Sequence, residues 1–225
     1  MNASTAQVAL KTVVAGAAAF VLLRQCRKPA WLPGRLLAHS MNTSHVGVTK
    51  WGLSHVSIRP TDTILDVGCG GGRTIQTMAS VAAQGRVFGV DYSATSVGVA
   101  RRVNAKEVEA GRVNVKQASV SALPFPDETF DLATAVETHY YWPDLVNDLK
   151  EIRRVLKPGA RVVLIAETYR DRRADWLYRP AMLLLGATYL TPDQHRQLLL
   201  TAGYAEIEVH DERFKGWLCI VARKL

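Results

Sequence analysis

The sequence predicts an α/β fold, a doubly wound seven-stranded sheet that is mostly parallel with an antiparallel C-terminal strand and carries helices on both faces. Three observations support this. Short β-rich runs alternate with helix-compatible stretches through most of the chain, as repeated βαβ crossovers require. The first run ends in a cluster of glycines that opens a helix. The 225 residues, 48% hydrophobic and 21% charged, suit one globular domain with an appendage and exclude disordered, collagen-like and disulfide-stapled chains.

The predicted strands are Thr63 to Val67, Arg86 to Val90, Val113 to Gln117, Asp131 to Val136, Arg161 to Ala166, Ala205 to His210 and Trp217 to Arg223. One helix is expected from near Thr74. A second follows Ser93, a hydroxyl N-cap, and ends near Gly111, and a third runs from Asp144 to Leu156. Thr191-Pro192-Asp193 starts another helix, with proline in its first turn, that stops by Gly203. A short linker around Asp211 to Lys215 lets the last two strands form a hairpin. No internal repeat of solenoid length interrupts the body.

Ahead of this body lies a different kind of sequence. The chain carries 28 Lys and Arg against 20 Asp and Glu, a net +8. Seven of the basic residues (Lys11, Arg24, Arg27, Lys28, Arg35, Lys50 and Arg59) precede the first acid, Asp62, which leaves 21 basic and 20 acidic residues for the rest. A nucleic-acid-binding body would spread its excess over a folded face, so no nucleic-acid partner is expected. The apolar run Val13 to Leu23, followed by Arg24, Arg27 and Lys28, is short for a full span. It lacks the basic start and small-residue cleavage site of a secretory signal. Residues 1–35, ending at a joint with Pro29, Pro33 and Gly34, are therefore read as either a membrane anchor or a cap helix, and residues 36–225 as the main domain. The basic cluster would leave that domain cytoplasmic, at the cytoplasmic face of any membrane it touches. Cys26, Cys69 and Cys219 have neither disulfide-framework nor zinc-ligand spacing, so no metal is expected.

The strongest chemical signal is Ile64-Leu65-Asp66-Val67-Gly68-Cys69-Gly70-Gly71-Gly72-Arg73, a strand, a glycine turn and a helix start. Glycines here tolerate positive φ and let a ligand approach the backbone. If Gly68 and Gly70 began a dinucleotide fingerprint, its third glycine would fall at Arg73, which counts against a nucleotide-dependent oxidoreductase of similar fold. The second strand runs into Asp91, 25 residues after Asp66. In such a sheet, Asp91 shares a crevice with the glycine loop and can accept both hydroxyls of a ribose.

With Leu65 to Gly72, Asp91, Ala122-Leu123-Pro124-Phe125-Pro126-Asp127 followed by Thr129-Phe130-Asp131, and Arg154-Val155-Leu156-Lys157-Pro158-Gly159, the chain resembles the class I S-adenosylmethionine-dependent methyltransferases. The resemblance is to their small-molecule branch, which includes quinone-biosynthesis enzymes, and covers residues 60–166. It implies a Rossmann-like fold and S-adenosyl-L-methionine as cofactor, with Asp66, Gly68 and Gly70 at its methionine part and Asp91 on its ribose. Many relatives place an Asp after the third strand against the adenine amino group. Ala118-Ser119-Val120 stands there, making Ser119 and Val120 the adenine-side candidates.

The acceptor is expected at Glu137-Thr138-His139-Tyr140-Tyr141-Trp142, after the fourth strand. Glu137 would hold the cofactor, and His139, with an imidazole pKa near neutrality, would serve as base. A packed structural histidine is the alternative. His45 to Leu53 and Trp176 to Leu190 are expected to close the site, the second as either a helix on the sheet or an apolar acceptor pocket. The expected activity is methyl transfer to a small acceptor. The competing readings are a catalytically silent cofactor-binding partner protein and the oxidoreductase.

Overall fold

The computed structural model describes residues 44–173 and 175–225. The predicted leader, residues 1–35, lies outside them. Among the described residues no helix is long and apolar enough to cross a membrane.

Seven strands form one sheet: β1 (Thr63–Val67), β2 (Arg86–Asp91), β3 (Val113–Gln117), β4 (Phe130–Val136), β5 (Leu156–Ala166), β6 (Ala205–Glu212) and β7 (Trp217–Arg223). Their order is β3-β2-β1-β4-β5-β7-β6. Pairings from β3 through β5 are parallel, whereas β7 is antiparallel to both β5 and β6. The predicted class and hairpin are therefore those observed. Strand β5 starts earlier than expected because Leu156 pairs with Phe130 ahead of a register shift, so the Lys157-Pro158-Gly159 turn is drawn into the strand.

The helices are α1 (Val46–Leu53), α2 (Arg73–Val81), α3 (Ala94–Val103), α4 (Ala105–Glu109), α5 (Leu145–Val155), α6 (Asp175–Leu184) and α7 (Pro192–Thr201). The stretch after Ser93 breaks in two at Asn104, whose amide donates to the carbonyls of Gly72 and Ala100 at 2.9 Å each. Side-chain caps set three helix starts: Ser93 for α3, Asp144 for α5, and a reciprocal Thr191–Gln194 box for α7.

Period-two alternation divides the sheet's side chains between two cores. Along β5, Val162, Leu164 and Ala166 join one face with Leu149, Ile152 and Leu199, while Val163 and Ile165 join the other with Val48, Ile75 and Met78. Both faces of the central strands are thus covered, which accounts for their continuous apolar runs. Helix α1 lies close against the second face, where a Cβ on Gly52 would stand 2.5 Å from Ile165 Cδ1. The expected closing segment Trp176 to Leu190 behaves differently. Trp176 is 73% exposed and Leu183 71%, and in α6 only Met182 is buried. Its downstream part turns back onto the body through the Thr188 N–H, which donates to the Tyr140 carbonyl at 2.8 Å. Most of this helix is not packed on the sheet.

Candidate active site

The strand order reverses between β1 and β4, and a doubly wound sheet opens its ligand crevice at the carboxyl ends of such strands. The predicted residues gather there. Gly68, Gly70 and Gly72 all adopt positive φ (72°, 49° and 80°), turning the chain sharply from β1 into α2. The Gly68 and Cys69 N–H groups donate to the Val90 carbonyl at 2.8 and 2.9 Å, tying the loop to β2. A Cβ on Gly68 would lie 2.0 Å from Thr138 Oγ1, so the loop also touches the segment after β4. At Gly70 an added Cβ would meet nothing within 4 Å, which marks open space against the backbone.

Asp91 closes β2 beside this loop. Its Oδ2 accepts from the Gly70 N–H at 3.0 Å and its Oδ1 from the Ser93 N–H at 2.8 Å. A carboxylate oxygen has more than one acceptor direction, so hydroxyls of a bound sugar have room on the same group. Burial raises the Asp91 carboxyl above the usual range, and the two backbone donors oppose the rise.

Asp66, on β1, is 1% exposed. Thr134 Oγ donates to its Oδ1 at 2.8 Å, and Oδ2 is buried with no partner among the described residues. Burial pushes this carboxyl up to about 7, opposed by the Thr134 hydrogen bond and reinforced by the charge of Asp91. A buried oxygen without a donor is costly, and a ligand ammonium would satisfy it. Together with the open space at Gly70, this arrangement fits the amino-acid end and ribose of S-adenosyl-L-methionine. Ser119 is exposed just beyond β3, its Oγ accepting from the Ser121 N–H at 3.2 Å, and Val120 beside it is buried.

Glu137 follows β4 with a positive φ of 55°, a conformation that side-chain-bearing residues seldom adopt. Its Oε1 accepts from the Tyr140 hydroxyl at 3.2 Å and from the Glu167 backbone N–H. Burial, then the neighbouring Glu167, pushes the Glu137 carboxyl up to about 8. His139 sits in a 3₁₀ turn, His139–Tyr141, and is 1% exposed. Its Nε2 meets His195 Nε2, on α7, at 3.1 Å, and its Nδ1 is buried without a partner among the described residues. Burial and His195 hold the imidazole well below its ordinary pKa. Both expectations for His139, a base and a packed structural histidine, fall on this one buried ring, and protonating an enclosed imidazole against a second one is unfavourable.

Glu167 at the crevice was not expected, whereas His45 opens the segment expected to close the site. Glu167 follows β5 as Glu137 follows β4, and His45 immediately precedes α1 with its Nε2 3.8 Å from Glu167 Oε2. The signal for Glu167 was present in Val162-Val163-Leu164-Ile165-Ala166-Glu167, an apolar strand running into an acid just as β2 runs into Asp91.

A family model described as "Methyltransferase domain" matches residues 65–164. The chain is 38% identical over 190 residues to a demethylmenaquinone methyltransferase of Symbiobacterium thermophilum, covering 71% of this chain and 76% of that one. It is 34% identical over 154 residues to the O-methyltransferase cnsE of Penicillium expansum, covering 67% of this chain and 54% of the relative, so here it spans little more than half of the relative's length. A SAM-dependent methyltransferase from Aquifex aeolicus shares the fold with a TM-score of 0.70 at 20% identity, over 85% of this chain and 98% of that one.

Proposed function

Because the chain belongs to the class I methyltransferase family, we propose that it transfers a methyl group from S-adenosyl-L-methionine to a small organic acceptor. The observation that carries this reading is the bond from the Gly70 N–H to Asp91 Oδ2, which fixes the glycine loop and the ribose acid as one cradle. When bound, the cofactor supplies a methyl already activated by its sulfonium, so the protein's task is alignment and desolvation. Asp91 accepts the ribose hydroxyls, and Asp66 Oδ2 accepts from the amino group of the methionine part. Gly68 and Gly70 let that part lie against the backbone, and Ser119 with Val120 borders the adenine. Thr138 packs on the loop from the acceptor side. The printed names of the two relatives, a demethylmenaquinone methyltransferase and an O-methyltransferase, support a small organic acceptor. The dinucleotide reading is disfavoured by Arg73 in place of a third glycine, and nothing in the crevice argues for a silent partner protein.

Calorimetry with S-adenosylhomocysteine tests the cofactor site directly. One site per chain is expected for the wild type, and absence of binding would refute the reading. A finer part of the proposal is attachment to a cytoplasmic membrane face through residues 1–35, supported by the run Val13 to Leu23 and the cations Arg24, Arg27 and Lys28. Recovery of the full-length chain in the soluble fraction at low salt would remove that part and leave the chemistry untouched.

A further inference from the structure

His45, Glu137 and Glu167 come from three separate segments, yet each presents a ligand-capable atom such that all three lie within 4.8 Å of one another. Among the described residues they are the one His, Cys, Asp and Glu group gathered this closely. Glu137 and Glu167 terminate the adjacent parallel strands β4 and β5, so the sheet itself brings the two carboxylates together. His45 is delivered by α1, whose seat is set by close contact of Gly52 with Ile165, two residues before Glu167. All three are partly buried.

We propose that His45, Glu137 and Glu167 form a binding site for a divalent first-row cation such as Mn²⁺. Two carboxyl groups crowded beside a half-buried imidazole are poorly solvated and repel one another when both ionise, and a cation between them offsets that cost. One nitrogen and two carboxylate oxygens suit Mn²⁺, Fe²⁺ or Zn²⁺ better than the all-oxygen cages that Ca²⁺ takes. Three atoms each about 2.1 Å from one ion stand at most about 4.2 Å apart, so the array need contract by only about half an ångström. The supporting contacts also suit a metal centre. The Tyr140 hydroxyl and the Glu167 N–H orient the Glu137 carboxyl, and the Arg172 guanidinium holds the Glu167 carbonyl at 3.0 Å. Three protein ligands leave positions for water or an acceptor oxygen. Only that last link, to the acceptor, rests on the methyl-transfer reading.

The test is Mn²⁺ titration of the full-length chain, followed by loss of the free-ion electron paramagnetic resonance signal, for wild type, His45→Gln and Glu167→Gln. One Mn²⁺ per wild-type chain is expected, with affinity reduced at least about tenfold in each variant. S-adenosylhomocysteine calorimetry on the same preparations shows that each variant is folded and reports on the cofactor site separately. No stoichiometric Mn²⁺ in a wild type that binds S-adenosylhomocysteine overturns the cation site alone, as does unchanged Mn²⁺ affinity in both variants. Stoichiometric Mn²⁺ without S-adenosylhomocysteine binding would instead overturn the methyl-transfer reading.

Discussion

The backbone N–H of Gly70 donates to Asp91 Oδ2 at 3.0 Å, joining the loop after β1 to the end of β2. One carboxylate therefore orients the loop and faces the proposed ribose. Replacing it with a methyl group should loosen the loop as well as remove the sugar contact. Hydrogen bonds to a charged group contribute about 1.5–3 kcal/mol each, so losing the two ribose contacts in Asp91→Ala should weaken S-adenosylhomocysteine binding by at least about 100-fold. Calorimetry reads this directly, and undiminished affinity would mean that the ribose lies elsewhere.

Gly68 should be intolerant of a side chain for two separable reasons. Its φ of 72° carries a penalty of about 1–2 kcal/mol for an L-residue, and a Cβ would meet Thr138 Oγ1 at 2.0 Å, an overpacking worth about 1–3 kcal/mol. Urea unfolding of Gly68→Ala should show the combined loss. Adding Thr138→Ala should relieve only part of the packing share, because the Cβ of residue 138 stays 2.7 Å away, and none of the conformational one. Complete recovery in the double variant would contradict the backbone argument.

The cofactor-free protein should lose stability as pH rises from about 4 to 7. Asp66 is raised from 3.8 to about 7 in the folded chain. Between those values the native state holds a proton that the unfolded state has released, so the stabilisation is complete below the lower value and gone above the upper one. A shift of this size corresponds to roughly 4 kcal/mol. Asp66→Asn should make the decline shallower across this window by Asp66's share, while the raised carboxyl of Glu137 keeps part of the slope. Chemical denaturation at several pH values measures the slope, and parallel profiles for the two proteins would refute the assignment.

His139 and His195 should behave as a coupled structural pair. Removing either ring leaves the other's Nε2 buried without its partner at 3.1 Å, which costs about 1–3 kcal/mol beyond the lost packing. In a double-mutant cycle with alanine the two changes should be less than additive by about 1 kcal/mol. S-adenosylhomocysteine affinity should be retained in both single variants. Strict additivity would show that the two imidazoles do not interact.

Local chemistry made the fold readable. Apolar runs, glycine turns and caps such as Ser93 and Thr191 act over a few residues, and each leaves its mark in adjacent positions. The break of the second helix falls at Asn104, whose bond to the Gly72 carbonyl 32 residues away is not readable from neighbouring positions. His139 shows the same limit more sharply. Its sequence neighbours suggest a reactive loop, whereas a histidine from α7, 56 residues on, encloses it. Helix α6 has an apolar sequence suited to burial, yet Trp176 and Leu183 face outward.

The sequence by itself determined the strands, their parallel winding and the positions of Asp66, Gly68, Gly70 and Asp91, since each belongs to a strand-and-turn unit whose geometry is set by its own residues. Only the tertiary structure decided which side chains meet across the crevice. Glu137 and Glu167 become neighbours through the register of β4 on β5, and His45 joins them because α1 packs on the face of β5 beside Ile165. Contacts of that kind depend on how separate elements bury their apolar faces together, a property of the assembled core that no single segment contains.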